Sequence, residues 1–212
     1  MKPYRVKEIF YTLQGEGIHA GRPSIFLRFS GCNLWSGLEE DRGKAICRFC
    51  DTDFQGTDGV NGGTFASPVA LAERVRFLWP RNVLGFPFVV CTGGEPLLQL
   101  DHRLVEALQA QGFEVAIETN GTQMPPTGVD WICVSPKAGA SLKLTSGDEL
   151  KLVYPQAECD PAEFLPLKFN HFLLQPMDGP NASIHLKATI AYCLSHPIWR
   201  LSLQTHKLIG LP

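Results

Sequence analysis

Short apolar runs and amphipathic stretches alternate along the chain. Helices are predicted where apolar residues recur every three or four positions and an N-cap or stop residue lies beside them. Three such helices begin after Ser67, Asp101 and Asp160, and a longer one covers 182–195. Strands are expected at residues 6–13, 24–30, 86–92, 113–119, 129–134, 149–154, 171–174 and 199–203, and residues 57–65 are expected to form a loop. Because strands outnumber full helices, the pattern predicts an α/β fold with an incomplete parallel (β/α) barrel, in one domain over 1–212.

The predicted strand at residues 24–30 has two different faces. Ile25, Leu27 and Phe29 share one face, and Arg28 lies on the other. An exposed sheet edge would explain a charged residue in the middle of a strand. In a barrel, however, helices cover the outer face and the inner face lines a site, so we interpret Arg28 as a residue of the interior.

Polar residues cluster where the predicted strands end. Such clusters follow Ser30, Thr92, Thr119, Val134, Leu174 and Leu203. The carboxyl ends of parallel strands meet at one edge of a sheet, where α/β proteins bind their ligands. We therefore expect one site that combines side chains from distant parts of the chain.

Composition and charge exclude several classes of protein. The 212 residues are 44% hydrophobic and 19% charged, and the formal net charge of -2 gives no basic surface for nucleic acid. The first residues lack the apolar segment of a secretion signal, and no run reaches the length of a membrane span, so we expect a cytoplasmic protein that does not bind membranes. The seven cysteines are too dilute for a disulfide scaffold.

Three of the cysteines lie in one loop. Cys32, Cys47 and Cys50 supply three thiolates, whereas a structural zinc site or a fully protein-bound 4Fe–4S cluster has four ligands. Three ligands leave one metal position open for chemistry. A C-x-x-C pair serves zinc and iron–sulfur sites alike, so a zinc site completed by His19 or Asp53 is an equal alternative on these residues alone.

The end of this loop, Cys47-Arg48-Phe49-Cys50, resembles the radical S-adenosylmethionine (SAM) enzymes. In that class a C-x-aromatic-C sequence completes a three-cysteine loop, and SAM binds the fourth iron. The usual spacing would place a ligand at Ser36, but a neutral hydroxyl is a poor ligand for iron–sulfur chemistry. We infer that Cys47 replaces it, and that residues 33–46 are an insertion within a cluster loop over 31–52.

Further motifs narrow the resemblance to the 7-carboxy-7-deazaguanine synthases. That family converts 6-carboxy-5,6,7,8-tetrahydropterin to 7-carboxy-7-deazaguanine, with loss of ammonia, on the way to queuosine and related modified nucleosides of tRNA. The resemblance implies a shortened barrel of the radical SAM type, one 4Fe–4S cluster, SAM and Mg²⁺ as cofactors, and a homodimer. The motifs that carry it are Leu13–Gly17, Arg28, Gly31–Trp35, Cys50–Thr52, Thr92–Pro96, Glu118–Gly121, Ser135–Lys137, Gln175–Asp178 and Gln204–Lys207.

The resemblance also implies which residues form each part of the site. Cys32, Cys47 and Cys50 hold the cluster, and Thr52 gives one oxygen to Mg²⁺. SAM is expected to contact Phe49, Cys50, Asp51, Gly93, Gly94, Glu95, Ser135, Pro136, Lys137, Gln175, Pro176, Met177 and Asp178. The pterin is expected to contact Leu13, Gln14, Gly15, Arg28, Thr92, Glu118, His206 and Pro212.

These implied contacts give some residues specific tasks. The planar guanidinium of Arg28 suits a bidentate contact with the substrate carboxylate. The backbone of Gly93 and Gly94 would receive the amino group of SAM, and the carboxylate of Pro212 would accept hydrogen bonds from the amino-pyrimidine edge of the pterin. An electron donor such as flavodoxin or ferredoxin is needed to reduce the cluster.

Two other functions are open at this point. A radical SAM activase would form a glycyl radical on a partner protein, and it would need an open surface rather than an interior Arg28. A zinc module without enzymatic activity would hold one metal ion and no sulfide.

Overall fold

The computed structural model describes residues 2–212, which form one nine-stranded sheet with helices packed against it. The strands are β1 (Tyr4–Leu13), β2 (Pro23–Phe29), β3 (Gly63–Phe65), β4 (Phe88–Gly93), β5 (Glu114–Thr119), β6 (Trp131–Val134), β7 (Ser146–Tyr154), β8 (Lys168–Pro176) and β9 (Trp199–Leu201). The α-helices are α1 (Pro68–Leu78), α2 (His102–Ala110), α3 (Ala182–Ser195) and α4 (Thr205–Ile209), and short 3₁₀ helices cover Glu39–Lys44, Pro96–Leu98 and Pro161–Phe164.

The strands lie in the order β3-β1-β2-β4-β5-β6-β7-β8-β9. From β2 onward each neighbouring pair is parallel, whereas β1 pairs antiparallel with both β2 and β3. From β2 to β9 the order of the strands in the sheet is therefore their order in the sequence, with β3 at the far edge. This is the arrangement of an incomplete (β/α) barrel. This confirms the predicted fold class and adds an antiparallel edge that the sequence pattern did not indicate.

Loop segments close the gap between the two sides of this open sheet. Residues 15–17 follow β1 and meet residues 202–205, which follow β9. The N–H of Gly17 donates to Ser202 Oγ at 2.9 Å, and the N–H of Thr205 donates to the Gly15 carbonyl oxygen at 2.9 Å. The barrel thus encloses an interior although β1 and β9 stand near opposite ends of the strand order.

The sheet buries its apolar residues on the outer face, under the helices. In β7, Leu150 and Leu152 are fully buried in the outer core, whereas Lys151 between them lines the barrel interior. A larger apolar cluster joins β1, β2, β4 and β5 to α1 and α2. The helix α2 begins at its N-cap Asp101, whose carboxylate accepts the N–H of Leu104 at 3.0 Å.

Several elements differ from those that the sequence predicts. The expected loop at 57–65 contains β3, which at three residues is too short to show alternation. The strand predicted from Phe86 begins at Phe88, and the ring of Phe86 is exposed. The helix α4 and the 3₁₀ helix in the insertion were not predicted, because elements of five and six residues carry little periodicity.

The helix α3 agrees with the predicted range but leaves most of its surface exposed. Among its 14 residues only Thr189 is fully buried, and the side chains of Ile184 and Leu194 are 64% and 79% exposed. Across residues 2–212, none of the helices combines the length and the apolar character that crossing a bilayer requires.

We expect Leu152→Ala to lower the free energy of unfolding by about 2–5 kcal/mol, because it leaves a cavity in the outer core between β7 and the helices. Urea denaturation of wild type and variant measures the change. Leu84→Ala removes the same atoms from a fully exposed position of the loop before β4 and is expected to change stability by less than about 0.5 kcal/mol. Equal effects of the two substitutions would contradict the assignment of the core.

Candidate active site

A cavity of about 400 Å³ lies inside the barrel and opens at the carboxyl ends of the parallel strands. Its volume falls in the usual range for small-molecule pockets. The structure brings almost all of the predicted site residues to its wall. These are Leu13, Gln14, Gly15, Arg28, Cys32, Cys47, Phe49, Cys50, Asp51, Thr52, Thr92, Gly93, Gly94, Glu118, Ser135, Lys137, Gln175, Pro176, Met177, Asp178, His206 and Pro212.

Glu95 and Pro136, which are also predicted to contact SAM, lie behind this wall. The carboxylate of Glu95 is fully buried and accepts hydrogen bonds from Thr119 Oγ1 (2.7 Å) and from the N–H groups of Asn120 (2.8 Å) and Leu97 (3.0 Å). Burial raises the pKa of Glu95, although these hydrogen bonds oppose the shift. The side chain therefore braces the end of β4 against β5.

The three loop cysteines border one part of the cavity. Cys47 is buried, and the half-buried Cys32 and Cys50 pack against an apolar cluster that contains Trp35 and Phe54. A hydrogen bond from the Cys47 thiol, opposed by burial, lowers the pKa of Cys50 to about 6, and the same contact raises the pKa of Cys47. Burial raises the pKa of Cys32. Binding of a metal to all three sulfurs therefore requires the release of thiol protons.

The two residues that would complete a zinc site make other contacts, although Asp53 lines the same cavity as the cysteines. The ring of His19 packs against Phe88 and Trp131, with centroids 5.0 and 4.3 Å away, near the amino ends of β4 and β6. Asp53 pairs with Lys7 at 2.8 Å. Among residues 2–212, no group of three or more histidine, cysteine or acidic side chains is arranged to hold a single metal ion. A cuboidal cluster is wider than one ion, so its ligands stand farther apart than those of zinc.

Ser36 belongs to the fold of the insertion. Its hydroxyl donates to Asp41 Oδ2 at 2.8 Å and accepts the N–H of Leu38 at 3.1 Å. The side chain is exposed and lies outside the cavity lining. This geometry supports the inference that Cys47, rather than the residue at position 36, is the second cluster ligand.

Arg42 connects the two ends of the insertion. Its guanidinium carbon lies 4.1 Å from the centre of the Trp35 ring. The Nη1 atom donates to the carbonyl oxygens of Arg48 (2.9 Å) and Cys50 (3.0 Å), and Nε donates to Glu39 at 2.7 Å. One side chain thus holds the start of the insertion and the C-x-x-C turn together.

Gly93 and Gly94 end β4 where it reaches the cysteine loop. The φ angle of Gly93 is +142°, a conformation that favours glycine. A Cβ atom at Gly93 would overlap the carbonyl oxygen of Phe29, and one at Gly94 would overlap that of Gly31. The two glycines let β4 lie directly against the end of β2, which places their backbone on the cavity beside Cys32.

Arg28 lies on the cavity wall, as its position in the strand predicts. Its Nε donates to Glu8 Oε1 at 2.8 Å, and the two side chains are only 18% and 27% exposed. This interior ion pair occupies one of the five guanidinium N–H groups. The remaining N–H groups are available to a bound carboxylate.

Two lysines organise the side of the cavity next to the cysteines. The ammonium of Lys137 donates to the carbonyl oxygen (2.6 Å) and the hydroxyl (2.7 Å) of Ser135, and burial lowers its pKa. Lys207 pairs with Asp51 at 2.6 Å and with Asp178 at 2.5 Å. The hydrogen bond from Lys207 lowers the pKa of Asp178. These contacts join α4 to the cysteine loop and to the segment after β8. Sequence analysis included Lys207 in the motif Gln204–Lys207 but assigned it no contact.

A buried charge cluster forms another part of the wall. The side chain of Lys151 is 3% exposed, and its ammonium pairs with Glu16 at 2.5 Å and with Glu118 at 3.1 Å. Glu118 also accepts Gln14 Nε2 at 2.8 Å. Sequence analysis missed Lys151. The available signal was a lysine within the predicted strand 149–154, on the face opposite its leucines.

The last described residues reach the same cavity. His206 packs so closely on Gly15 that a Cβ atom there would overlap its ring. The hydroxyl of Thr12 donates to the carbonyl oxygen of Pro212 at 3.4 Å. The helix α4 holds this segment in place, since the N–H of Leu211 donates to the His206 carbonyl oxygen at 3.0 Å.

Comparison with known proteins shows which family has this arrangement. No protein-family model matches the chain. Over 99% of its length the chain is 60% identical to the 7-carboxy-7-deazaguanine synthase of Caulobacter vibrioides and 59% identical to that of Burkholderia multivorans, and the matches cover 99% of each relative. The chain belongs to the 7-carboxy-7-deazaguanine synthase family. The crystal structure of QueE from Escherichia coli matches with a TM-score of 0.69 at 29% identity, over 96% of this chain and 95% of that one.

The 7-carboxy-7-deazaguanine synthases are radical SAM enzymes of queuosine biosynthesis, so the family implies an enzyme with a 4Fe–4S cluster and SAM. Membership decides between the functions that the sequence left open, against the zinc module and the activase. The residues present fit these cofactors, because three soft thiols face one cavity beside the exposed backbone of Gly93 and Gly94.

We expect Arg42→Met to loosen the insertion of this synthase, because it removes hydrogen bonds from a charged donor while keeping an apolar contact with Trp35. Amide hydrogen exchange over residues 38–50 of the metal-free protein is expected to accelerate about tenfold or more. Lys44→Met removes a charge from the exposed end of the same 3₁₀ helix and serves as the control. Equal exchange in the two variants would show that Arg42 does not hold the loop.

Proposed function

We propose that this protein converts 6-carboxy-5,6,7,8-tetrahydropterin to 7-carboxy-7-deazaguanine, with loss of ammonia. The observation that carries the proposal is the convergence of three cysteines, a glycine strand end and the guanidinium of Arg28 on one cavity. When bound, the cluster and SAM supply the one-electron radical chemistry. The protein supplies binding and orientation within the cavity.

Cys32, Cys47 and Cys50 hold the cluster in this proposal. SAM lies next to it, against the backbone of Gly93 and Gly94. This placement is supported by the position of the three cysteines and of Gly93 and Gly94 on one wall of the cavity. The other SAM contacts are Phe49, Asp51, Ser135, Lys137, Gln175, Pro176, Met177 and Asp178, which line the same cavity, while Glu95 and Pro136 act from behind by supporting the backbone.

The pterin occupies the part of the cavity around Arg28. The free N–H groups of Arg28 bind the substrate carboxylate, and Glu8 holds the guanidinium in place through its 2.8 Å contact. The remaining pterin contacts come from residues on the same wall: Leu13, Gln14, Gly15, Thr92, Glu118, His206 and Pro212. The carbonyl oxygen of Pro212, which accepts the Thr12 hydroxyl at 3.4 Å, also accepts a hydrogen bond from the amino-pyrimidine edge.

Mg²⁺ binds through the hydroxyl of Thr52, with water and substrate oxygens as its other ligands. The support is position, because Thr52 lies on the cavity two residues after Cys50. A single protein oxygen is in keeping with Mg²⁺, which keeps several of its waters in proteins.

The proposal extends to partners and compartment. The exposed apolar side chains of α3, such as Ile184 and Leu194, suit burial in a homodimer. Reduction of the cluster needs a one-electron donor of the flavodoxin or ferredoxin class. We place the enzyme in the cytoplasm, where such donors and the biosynthesis of tRNA nucleosides are found.

An anaerobic turnover assay tests the function. Protein with a reconstituted cluster is incubated with dithionite, SAM, Mg²⁺ and the carboxypterin, and the products are identified by mass spectrometry. We expect 7-carboxy-7-deazaguanine and ammonia in equal amounts, and neither product when SAM is omitted. Consumption of SAM without the deazaguanine, at every Mg²⁺ concentration tried, would contradict the proposed substrate.

Cys47→Ala is expected to abolish cluster binding, whereas Ser36→Ala keeps it, because the Ser36 hydroxyl bonds only within the insertion. Iron and acid-labile sulfide per chain, measured after anaerobic reconstitution, check the prediction. Loss of the cluster in Ser36→Ala with retention in Cys47→Ala would reverse the ligand assignment.

Arg28→Lys is expected to weaken pterin binding about 10- to 100-fold and to leave SAM binding within about twofold, because an ammonium cannot bind a carboxylate bidentately. Anaerobic calorimetry with each ligand measures both affinities. Arg103→Lys, at an exposed position of α2, is the control for the same exchange of side chains. Parallel losses of both ligands in Arg28→Lys would assign the residue to the fold rather than to the substrate.

A further inference from the structure

Lys151 is a buried cation that the proposed site does not yet use. Its ammonium lies on the cavity wall and is 3% exposed. It donates to Glu16 Oε2 at 2.5 Å and to Glu118 Oε2 at 3.1 Å. An ammonium has three donors, and the described residues supply acceptors for two of them.

The position of Lys151 in β7 explains why its side chain points into the barrel, but not why the residue is a lysine. Leu150 and Leu152 pack in the outer core, so alternation turns Lys151 inward. A methionine or leucine there would avoid the cost of removing an ammonium from water, which is large unless the charge is paired. The pairing partners therefore indicate what the lysine does.

Lys151 lies at the centre of a cluster of charged and amide side chains that connects four segments of the barrel. Besides the two ion pairs, Glu118 Oε1 accepts Gln14 Nε2 at 2.8 Å, and Glu16 Oε1 accepts Gln204 Nε2 at 3.0 Å. Glu118 lies in β5 and Lys151 in β7, while Glu16 and Gln204 lie in the two loops that close the barrel. Removal of the ammonium would leave Glu118 and Glu16 with Gln14 and Gln204 as their hydrogen-bond partners and without a charge beside them.

The charges of this cluster do not balance. Two carboxylates face one ammonium. The surrounding elements add further titratable groups, which are Glu149 from β7, Cys133 from β6, Lys137 from the segment after β6, and His206 from α4. Glu149 is engaged elsewhere, accepting Trp131 Nε1 at 2.6 Å. Burial opposes ionisation of Glu16, but Lys151 lowers its pKa to about 2. The cluster therefore presents surplus acceptor capacity to the cavity, which suits a ligand rich in N–H donors.

We propose that Lys151 is a positioning residue for the pterin, holding Glu16 and Glu118 in place as acceptors for the N–H groups of the bound ring. This inference rests on the proposed function, since it takes the carboxypterin as the ligand. The proposed SAM contacts are other residues on the cysteine side of the cavity, and the link between them and this cluster is Gln204, which also donates to Asp51 Oδ2 at 3.3 Å.

Binding measurements on Lys151→Met test the role. The variant keeps the length of the side chain and removes the charge, so the carboxylates take up protons more easily. We expect the affinity for the carboxypterin at pH 7 to fall about tenfold or more, and SAM affinity to change less than about twofold. The pterin deficit is expected to shrink as pH rises from 6 to 9, because higher pH restores the carboxylate charge. Lys168→Met, at an exposed position of β8, is the matched control.

The outcomes separate this inference from the function on which it rests. If wild type binds the carboxypterin and Lys151→Met binds it equally well, or with a deficit that does not vary with pH, the positioning role is overturned. Equal loss of pterin and SAM would assign Lys151 to the fold instead. If wild type fails to bind the carboxypterin, the proposed function fails first. Circular dichroism checks the fold, and Lys151→Gln, with the same expectations, replaces Lys151→Met if that variant is unfolded.

Discussion

The hydrogen bonds between residues 15–17 and residues 202–205 are the constraint on which the site depends. Nine strands in this order form a curved sheet with two free sides, and such a sheet alone would hold its ligands in an open groove. The contact between the two loops turns the groove into an enclosed space. It also brings Gln14 to Glu118 and His206 to Gly15, so residues far apart in the chain face one cavity.

Alternate residues along the strands of the barrel point outward and inward, and the outward side chains are apolar whereas many of the inward ones are polar. Outward side chains such as Leu150 and Leu152 build the core beneath the helices, and inward ones such as Arg28 and Lys151 are charged. Arg28 and Lys151 each have a charged partner from another strand or loop, which lowers the cost of burial and fixes the orientation of the side chain. These polar contacts are in place without a ligand.

Short-range signals in the sequence predicted the strand pattern and one site at the strand ends, and the resemblance to a known family supplied most of the residues of its wall. Alternation placed Arg28 inside, and the spacing of cysteines with the aromatic Phe49 indicated the class of cofactor. Signals of this kind do not specify which side chains pair across the barrel, so Lys151 was missed, and Lys207, though part of a motif, was assigned no contact. Glu95 is the opposite case. Its motif predicts a contact with SAM, but its carboxylate accepts hydrogen bonds from Thr119 and Asn120 behind the cavity wall. Antiparallel pairing of β1 likewise depends on long-range contacts.

The insertion between the first two cysteines is stabilised mainly by its own contacts. Ser36 bonds to Asp41 and Leu38, and Arg42 bonds to Glu39 and to the C-x-x-C turn. The spacing of the three thiols in space is thus uncoupled from their spacing in sequence. Around Gly43 no atom crowds the backbone. We expect residues to be gained, lost or exchanged at that tip as long as Arg42 keeps its hydrogen bonds to the C-x-x-C turn, so this part of the enzyme can diverge without moving the thiols.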